Sequence, residues 1–178
     1  RDRSVSRGLG DVYKRQIAGL ICLNRGTITV DGKVLNKDIS FPPDIGIIIE
    51  KPELLPYLSG LENLKLLAEI RNIISYDDIK HYMDKFGLNF NSKQIVKKYS
   101  LGMKQKLGII QAIMEDPSLL LLDEPFNALD AESVDILRSI LLQYKEQGKL
   151  IILTSHHQED IMSVCNQVIH LQDGCILN

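Results

Sequence analysis

Residues 119–125 have the sequence LLLLDEP, and this stretch decides the fold class. Four consecutive leucines are typical of a strand that is buried on both faces, and two adjacent carboxylates end the run. Apolar runs at 45–49 and 150–153 predict two further strands of the same kind. Because helical patterns separate these runs, the sequence predicts an α/β domain with a parallel sheet.

The segments between these runs carry apolar residues three or four positions apart, which is typical of helices. This spacing predicts helices over 60–71, 76–86, 100–114 and 131–147. Since helical patterns fill the chain from about 56 to 115, we expect a helical subdomain inserted into the sheet domain.

A hairpin is predicted near the start of this domain. The sequence GTITVDGKVL, from Gly26, alternates apolar and polar residues on both sides of Asp31-Gly32. An Asp-Gly pair between alternating segments is a strong signal for a tight antiparallel turn.

Composition excludes several classes of function. The chain has 178 residues and a formal net charge of −2, with acidic and basic residues interspersed. This pattern argues against nucleic acid as the main partner.

The three cysteines of the chain show no CxxC spacing, which favours a reducing, cytoplasmic compartment. The apolar runs are shorter than the roughly 18 to 20 residues that span a bilayer, so any membrane role must come through a partner.

The first 16 residues, RDRSVSRGLGDVYKRQ, are polar and basic and show no clear periodicity. No apolar run typical of a signal peptide follows them. We therefore expect residues 1–16 to be an unrelated or artefactual segment, and residues 17–178 to be the domain.

The acidic pair at the end of the LLLLDEP strand is the first candidate site. Neighbouring strand residues point to opposite faces, so Asp123 and Glu124 must act differently. At the carboxyl edge of a parallel sheet, one carboxylate can hold hydrated Mg²⁺ while the other polarises a water. The alternative is a surface strand end before a turn at Pro125.

Two further segments carry candidate residues. In YSLGMKQKL at 99–107, Ser100 is placed as a helix N-cap and Gly102 permits close backbone approach, a combination that suits an anion. In TSHHQED at 154–160, His156 is the histidine nearer to the preceding strand and can contact a phosphate or orient water. The alternatives are an ordinary capped helix and a structural histidine.

Together and in this order, the motifs resemble the ATP-binding cassette of ABC transporters. YSLGMKQKL resembles the LSGGQ-type signature, LLLLDEP the Walker B motif, NALD at 127–130 the D-loop, and SHHQED the switch-histidine region. The resemblance implies a P-loop NTPase-like (RecA-like) parallel sheet core with an antiparallel β hairpin and an inserted helical subdomain.

The resemblance also implies roles for these residues, with ATP and Mg²⁺ as cofactors. Asp123 would bind Mg²⁺, Glu124 would be the general base, and His156 would contact the γ-phosphate. Ser100 and Gly102 would bind a nucleotide held mainly by a second ATP-binding subunit. Asp130 would help connect the two sites.

Two departures from the family pattern affect these expectations. No GxxxxGK[ST] occurs in the chain, and GLGD at 8–11 lacks the lysine and hydroxyl that grip phosphate. We therefore expect an N-terminally truncated domain with weak nucleotide binding and unpaired strand edges. Glu50 stands where the family usually has the Q-loop glutamine, which makes it a second candidate metal ligand or, alternatively, an exposed loop residue.

The finer family resemblance concerns the transported substrate. Glu50 and the SLGMKQ form, in which Leu101 replaces a glycine, resemble the branch serving bacitracin-type and lantibiotic-type peptide export and self-protection. This implies an ATP-hydrolysing subunit that exports a peptide antibiotic or lipid-like substrate through a transmembrane permease subunit, at the inner face of the membrane.

Two other hypotheses remain. The chain can be a non-catalytic fragment that keeps only its dimer and permease surfaces. It can also be a non-transport ABC ATPase of the DNA-repair or translation-factor kind, although it has no coiled coil, second cassette or basic face.

Overall fold

The computed structural model describes residues 9–172 and 175–177. The helices are α1 (Leu9–Ile17), α2 (Gly60–Arg71), α3 (Tyr76–Lys85), a 3-10 helix (Val96–Lys98), α4 (Leu101–Ile113), α5 (Ala131–Glu146) and α6 (Gln158–Val164). The strands are β1 (Thr29–Val30), β2 (Lys33–Val34), β3 (Ile45–Ile48), β4 (Leu119–Asp123), β5 (Leu150–Thr154), β6 (His170–Gln172) and β7 (Cys175–Leu177).

The predicted parallel sheet is confirmed, with β4 between β3 and β5. Its register places Ile48 opposite Leu122, and Asp123 opposite Thr154. Because the three strands run in the same direction, the residues that follow them meet at one edge of the sheet. The predicted hairpin is also confirmed: β1 and β2 are antiparallel, and both Asp31 and Gly32 have positive φ.

The core lies on both faces of β4 because its side chains alternate. Leu120 and Leu122 belong to the large cluster formed with α2 to α5, whereas Leu119 and Leu121 pack with Ala18 on the opposite face. All four leucines are at most 5% exposed, as expected for a strand covered on both faces.

The same expectation was wrong for β5, and also for β3 at Ile47, which is 37% exposed. Leu150 is 59% exposed and the other residues of β5 are half-buried. The reason is position in the sheet: within the part of the chain that the structure describes, β5 pairs with β4 alone and is therefore an edge strand. An apolar run cannot distinguish a central strand from an edge strand.

The helical subdomain forms as predicted, because its helices carry their own start signals. Ser59 with Glu62, and Ser75 with Asp78, form capping boxes at the beginnings of α2 and α3. Helix α4 then lies directly on β3. A Cβ atom at Gly46 would be 1.9 Å from the carbonyl oxygen of Ala112, so only glycine allows this approach.

The amino-terminal segment differs from the expectation of an aperiodic stretch, since residues 9–17 form α1. Ile17 packs beside Ala18 on the face of β4 that holds Leu119 and Leu121. Burial against the sheet stabilises a helix whose sequence gives only a weak signal. Residues 1–8 lie outside the described part of the chain. None of the helices in the described ranges combines the length and apolar character needed to cross a bilayer.

Candidate functional site

The site begins with Asp123, at the carboxyl end of β4. Its Oδ1 accepts a hydrogen bond of 2.7 Å from the hydroxyl of Thr154, the residue opposite it in register on β5. Its Oδ2 accepts the backbone N–H of Glu50 at 3.2 Å. The structure thus brings together the residues that follow β3, end β4 and end β5, as parallel strands require.

Helix α1 supplies two cations to this cluster. Lys14, only 3% exposed, forms an ion pair with Asp123 through its ammonium group and donates a 3.0 Å hydrogen bond to Thr154 Oγ1. The neighbouring Arg15 pairs with the carboxylate of Glu50. Both predicted metal ligands therefore hold a cation from their own chain.

These contacts determine the protonation of Asp123. Burial alone would raise the pKa of this carboxyl, but hydrogen bonds from Lys14 and Thr154, together with the Lys14 charge, outweigh it. The pKa of Asp123 consequently lies below its ordinary value, and the group is a carboxylate at neutral pH.

Glu124 follows the end of β4 and contacts His156. The distance between Glu124 Oε1 and His156 Nε2 is 3.2 Å, and the His156 backbone N–H donates to Glu124 Oε2 at 3.4 Å. The His156 side chain is 90% exposed and that of Glu124 is 21% exposed. A carboxylate and an imidazole facing solvent side by side can orient and deprotonate a water.

Three residues around this edge adopt left-handed backbone conformations although none is glycine. The φ angles are +61° at Glu50, +47° at Glu124 and +61° at Ala128. Such conformations cost about 1–2 kcal/mol each, and they persist only where neighbouring contacts fix them. Their concentration in the loops after β3 and β4 marks this edge as the candidate site.

Ser100 is the N-cap of α4, as predicted, and its Oγ accepts the Met103 N–H at 3.1 Å. At Gly102 the close backbone approach is made by the chain itself, since a Cβ atom there would lie 2.6 Å from the carbonyl oxygen of Ala128; contact with an anion remains a prediction. The exposed Leu101 lies between them. Helix α4 thus presents an exposed capped end while its first turn touches the loop after β4.

Asp130 begins α5. Its Oδ1 accepts the Ser133 N–H at 2.9 Å, and its Oδ2 is 2.6 Å from Lys106 Nζ. The Lys106 ammonium, with the hydrogen bonds from Ser133, holds the pKa of this carboxyl far below its usual range. The structure therefore gives Asp130 a capping contact; the connection that it would make between two sites remains a prediction.

The donor set fits Mg²⁺ only in part. Among the residues that the structure describes, no group of three or more His, Cys, Asp and Glu side chains is placed to hold a metal by itself. Mg²⁺ usually takes one or two carboxylates and completes its shell with phosphates and water. Asp123 and Glu50 are the right residue types for that pattern, but in this structure each pairs with a cation, Lys14 or Arg15; metal binding by them remains a prediction.

Sequence reasoning missed three residues of this region. Thr154 follows an apolar strand run, and pairing that run in register with LLLLD would have placed it beside Asp123. Lys14 lay in a segment that showed no pattern. Gln105, whose amide contacts the backbone of Glu124 and Pro125, resembled an ordinary helix residue.

Comparison with known proteins gives the following similarities. A protein-family model described as "ABC transporter" matches residues 14–127. An ABC transporter ATP-binding protein of Bacillus subtilis is 50% identical over 161 residues, covering 90% of this chain and 73% of that protein. A bacitracin transport ATP-binding protein of Enterococcus faecalis is 35% identical, with 84% and 49% covered. A lantibiotic transport ATP-binding protein of Streptococcus pyogenes is 33% identical, with 90% and 69% covered.

Among solved structures, a dimeric ATP-binding cassette in a post-hydrolysis state bound to ADP and Pi superposes with a TM-score of 0.77 at 21% identity. The match covers 94% of this chain and 78% of that one, and it shows the fold. The chain spans about half the length of several curated relatives, between 49% and 54% of each.

Proposed function

The chain belongs to the ABC transporter family as an ATP-binding subunit, and we propose that this subunit, with a phosphate-loop segment in place of residues 1–16, binds and hydrolyses ATP to drive export of a peptide antibiotic or a lipid-like substrate, whereas the chain as it stands is inactive. The observation that carries the catalytic part is the meeting of Asp123, Glu124, Thr154 and His156 at the carboxyl edge of one parallel sheet. Ligands of open α/β folds bind at this edge.

In the proposed reaction, Glu124 accepts a proton from the water that attacks the γ-phosphorus of ATP. The bond between the γ-phosphorus and the bridging oxygen breaks, and ADP leaves with the electron pair. In this proposal His156 contacts the γ-phosphate and orients that water, and its distance of 3.2 Å from Glu124 supports the role. Both side chains reach solvent, which such a role requires.

Asp123 and Glu50 are the residues that would hold Mg²⁺. The metal, when bound, neutralises charge on the phosphates. Thr154 fixes the orientation of the Asp123 carboxylate through its 2.7 Å hydrogen bond. In this chain the carboxylate must first exchange its contact with Lys14 for the metal.

The substrate class rests on two supports. Glu50 and the SLGMKQ form resemble the peptide-export branch, and the bacitracin and lantibiotic transport proteins are 35% and 33% identical to this chain. We propose as partners a transmembrane permease subunit and a second ATP-binding subunit, whose nucleotide Ser100 and Gly102 would contact. The exposed end of α4 supports this second partner.

A second candidate is a non-catalytic fragment, and Lys14 favours it. Its ammonium occupies the carboxylate that Mg²⁺ would need, and the chain contains no GxxxxGK[ST]. We propose that residues 1–16 are not part of the ATP-binding domain, because they contain no GxxxxGK[ST] and the family match includes only the last three of them.

The test compares Mg·ATP binding by this chain and by a version whose residues 1–16 are replaced with a phosphate-loop segment. Isothermal titration gives the affinities, and phosphate release gives hydrolysis. We expect tight binding and hydrolysis in the replaced version alone. In that version, Glu124→Gln abolishes hydrolysis while ATP binding is kept, and the matched control Glu146→Gln, on the exposed face of α5, changes neither.

Each contrary result identifies what is wrong. Absence of Mg·ATP binding in the replaced version contradicts the proposed function. Tight binding by the chain as it stands contradicts the proposed obstruction by Lys14. Unchanged hydrolysis in the Glu124→Gln variant removes Glu124 as the general base.

A further inference from the structure

Gln105 lies on the second turn of α4 and is only 8% exposed. Its side-chain amide donates hydrogen bonds to two consecutive backbone carbonyls, Glu124 O at 3.3 Å and Pro125 O at 3.1 Å. Such a side chain can hold a loop because a buried carbonyl that loses its donor is unfavourable. Neither carbonyl belongs to a strand or helix, so Gln105 donates hydrogen bonds that a strand or helix partner would otherwise provide.

The backbone of Glu124 needs such support. Its φ of +47° is unfavourable for a residue with a side chain. On one side, its N–H donates to Thr154 O at 3.0 Å. On the other side, its carbonyl accepts from Gln105 and from the Asn127 N–H, the latter at 3.2 Å. Glu124 is therefore held between β5 and α4.

Two more contacts join α4 to the same loop. The Ala128 carbonyl oxygen lies against Gly102, in a space that any Cβ would fill. Lys106 Nζ lies 2.6 Å from Asp130 Oδ2. Gly102, Gln105 and Lys106 thus contact four positions within residues 124–130. The beginning of α4 and this loop form one connected unit.

We propose that Gln105 is a positioning residue that fixes the carboxylate of Glu124, and that it couples Glu124 to Ser100 through the first two turns of α4. The inference rests on the proposed function for the roles of Glu124 and Ser100. Ser100 caps α4 and Gln105 lies on the second turn of the same helix, so one element carries Ser100 and the contact with the Glu124 backbone. The two candidate sites within one chain are then mechanically linked.

The test replaces Gln105 by Glu in this chain, because a carboxylate of the same shape repels both carbonyls instead of donating to them. Hydrogen exchange is followed by NMR at the amides of Glu124, Asn127 and Leu129. We expect exchange there to accelerate by about tenfold or more, with the Glu124 Cα and Cβ shifts leaving their left-handed values. Amides of α3 and the carboxyl half of α5 keep their rates.

The matched control is Gln143→Glu, the same chemical change on the exposed face of α5. Gln105→Leu, which removes the donor without adding charge, is the second variant if Gln105→Glu does not fold. Equal acceleration in every element would mean that Gln105 only stabilises the fold, and unchanged exchange at residues 124–129 would likewise overturn the proposal. The measurement requires no nucleotide, so its result can be interpreted even when the chain fails to bind ATP.

Discussion

At the scale of single residues, the ion pair between Lys14 and Asp123 dominates the candidate site. This ion pair lowers the pKa of Asp123. The lowered pKa determines how the free energy of unfolding changes with pH. A carboxyl whose pKa is lowered by folding stabilises the protein above its unfolded pKa, about 3.9. That stabilisation is lost as the pH falls through the pKa of the folded state.

We predict that Lys14→Met destabilises the protein by roughly 1–3 kcal/mol at pH 7, because the buried carboxylate loses its charged partner. The difference should shrink as the pH falls through the lowered pKa of Asp123 in the folded wild-type protein, because the carboxyl then loses its charge. Urea unfolding at a series of pH values measures it. Lys37→Met, at an exposed position, is the control, and a pH-independent difference would contradict the assignment.

A second residue-scale prediction concerns Tyr144, which is 4% exposed. Its hydroxyl donates to Ile113 O at 3.0 Å, and burial, with the nearby Tyr82 and Asp116, raises the pKa of the phenol. Tyr144→Phe leaves the carbonyl without this donor and should lower the free energy of unfolding by about 1 kcal/mol. Tyr57→Phe, at a side chain that is 75% exposed, should change it little in the same urea titration.

At the scale of elements, the packing of α4 on β3 positions the site. Gly46 allows the Ala112 carbonyl to approach, and Gly108 faces Pro52 in the loop after β3, with 2.3 Å between a built Cβ and Pro52 Cγ. The helix that carries Ser100 is therefore fitted against both the strand and the loop that carry Glu50. Small residues at these two positions set the distance between helix and sheet.

We predict that Gly46→Ala destabilises the protein by about 1–3 kcal/mol or more, because its Cβ overlaps the α4 backbone. Gly148→Ala is the control: it has open space around it but a φ of +78°, so it carries backbone strain without overlap. Chemical denaturation of both variants separates the two effects. A smaller loss for Gly46→Ala than for Gly148→Ala would mean that α4 does not press on β3.

At the scale of the whole molecule, the apolar edge of β5 is the main site at which we expect self-association. Leu150 is 59% exposed, and in the described residues the outer edge of β5 has no neighbouring strand. Exposed edges with apolar side chains pair with other chains. We expect the isolated chain to be poorly stable and to aggregate, as the sequence already indicated.

We predict that Leu150→Lys reduces self-association of the isolated chain, because a charge on an edge strand opposes pairing. Light scattering during gel filtration measures it. Leu142→Lys, a similar change at a 39% exposed position on α5, should have less effect. A monodisperse wild-type monomer that unfolds in one sharp thermal transition would refute the expectation.

The sequence by itself determined the strands β3 to β5, the hairpin, the four helices from α2 to α5 and the acidic pair at residues 123 and 124. Each of these depends on local signals: apolar periodicity, capping residues such as Ser59 and Ser100, and an Asp-Gly turn. Glu124 and His156 were also candidate site residues from the sequence, because each follows a predicted strand of the parallel sheet and the ends of such strands meet.

Only the tertiary structure decided how these pieces contact one another. The burial of Lys14 against Asp123, the support of Glu124 by Gln105 and the contact of Gly102 with Ala128 all join segments far apart in the chain. The exposure of β5 likewise depends on which strands flank it. Local patterns cannot encode such pairings, because the energy of each contact depends on geometry that exists only after the sheet and helices have assembled.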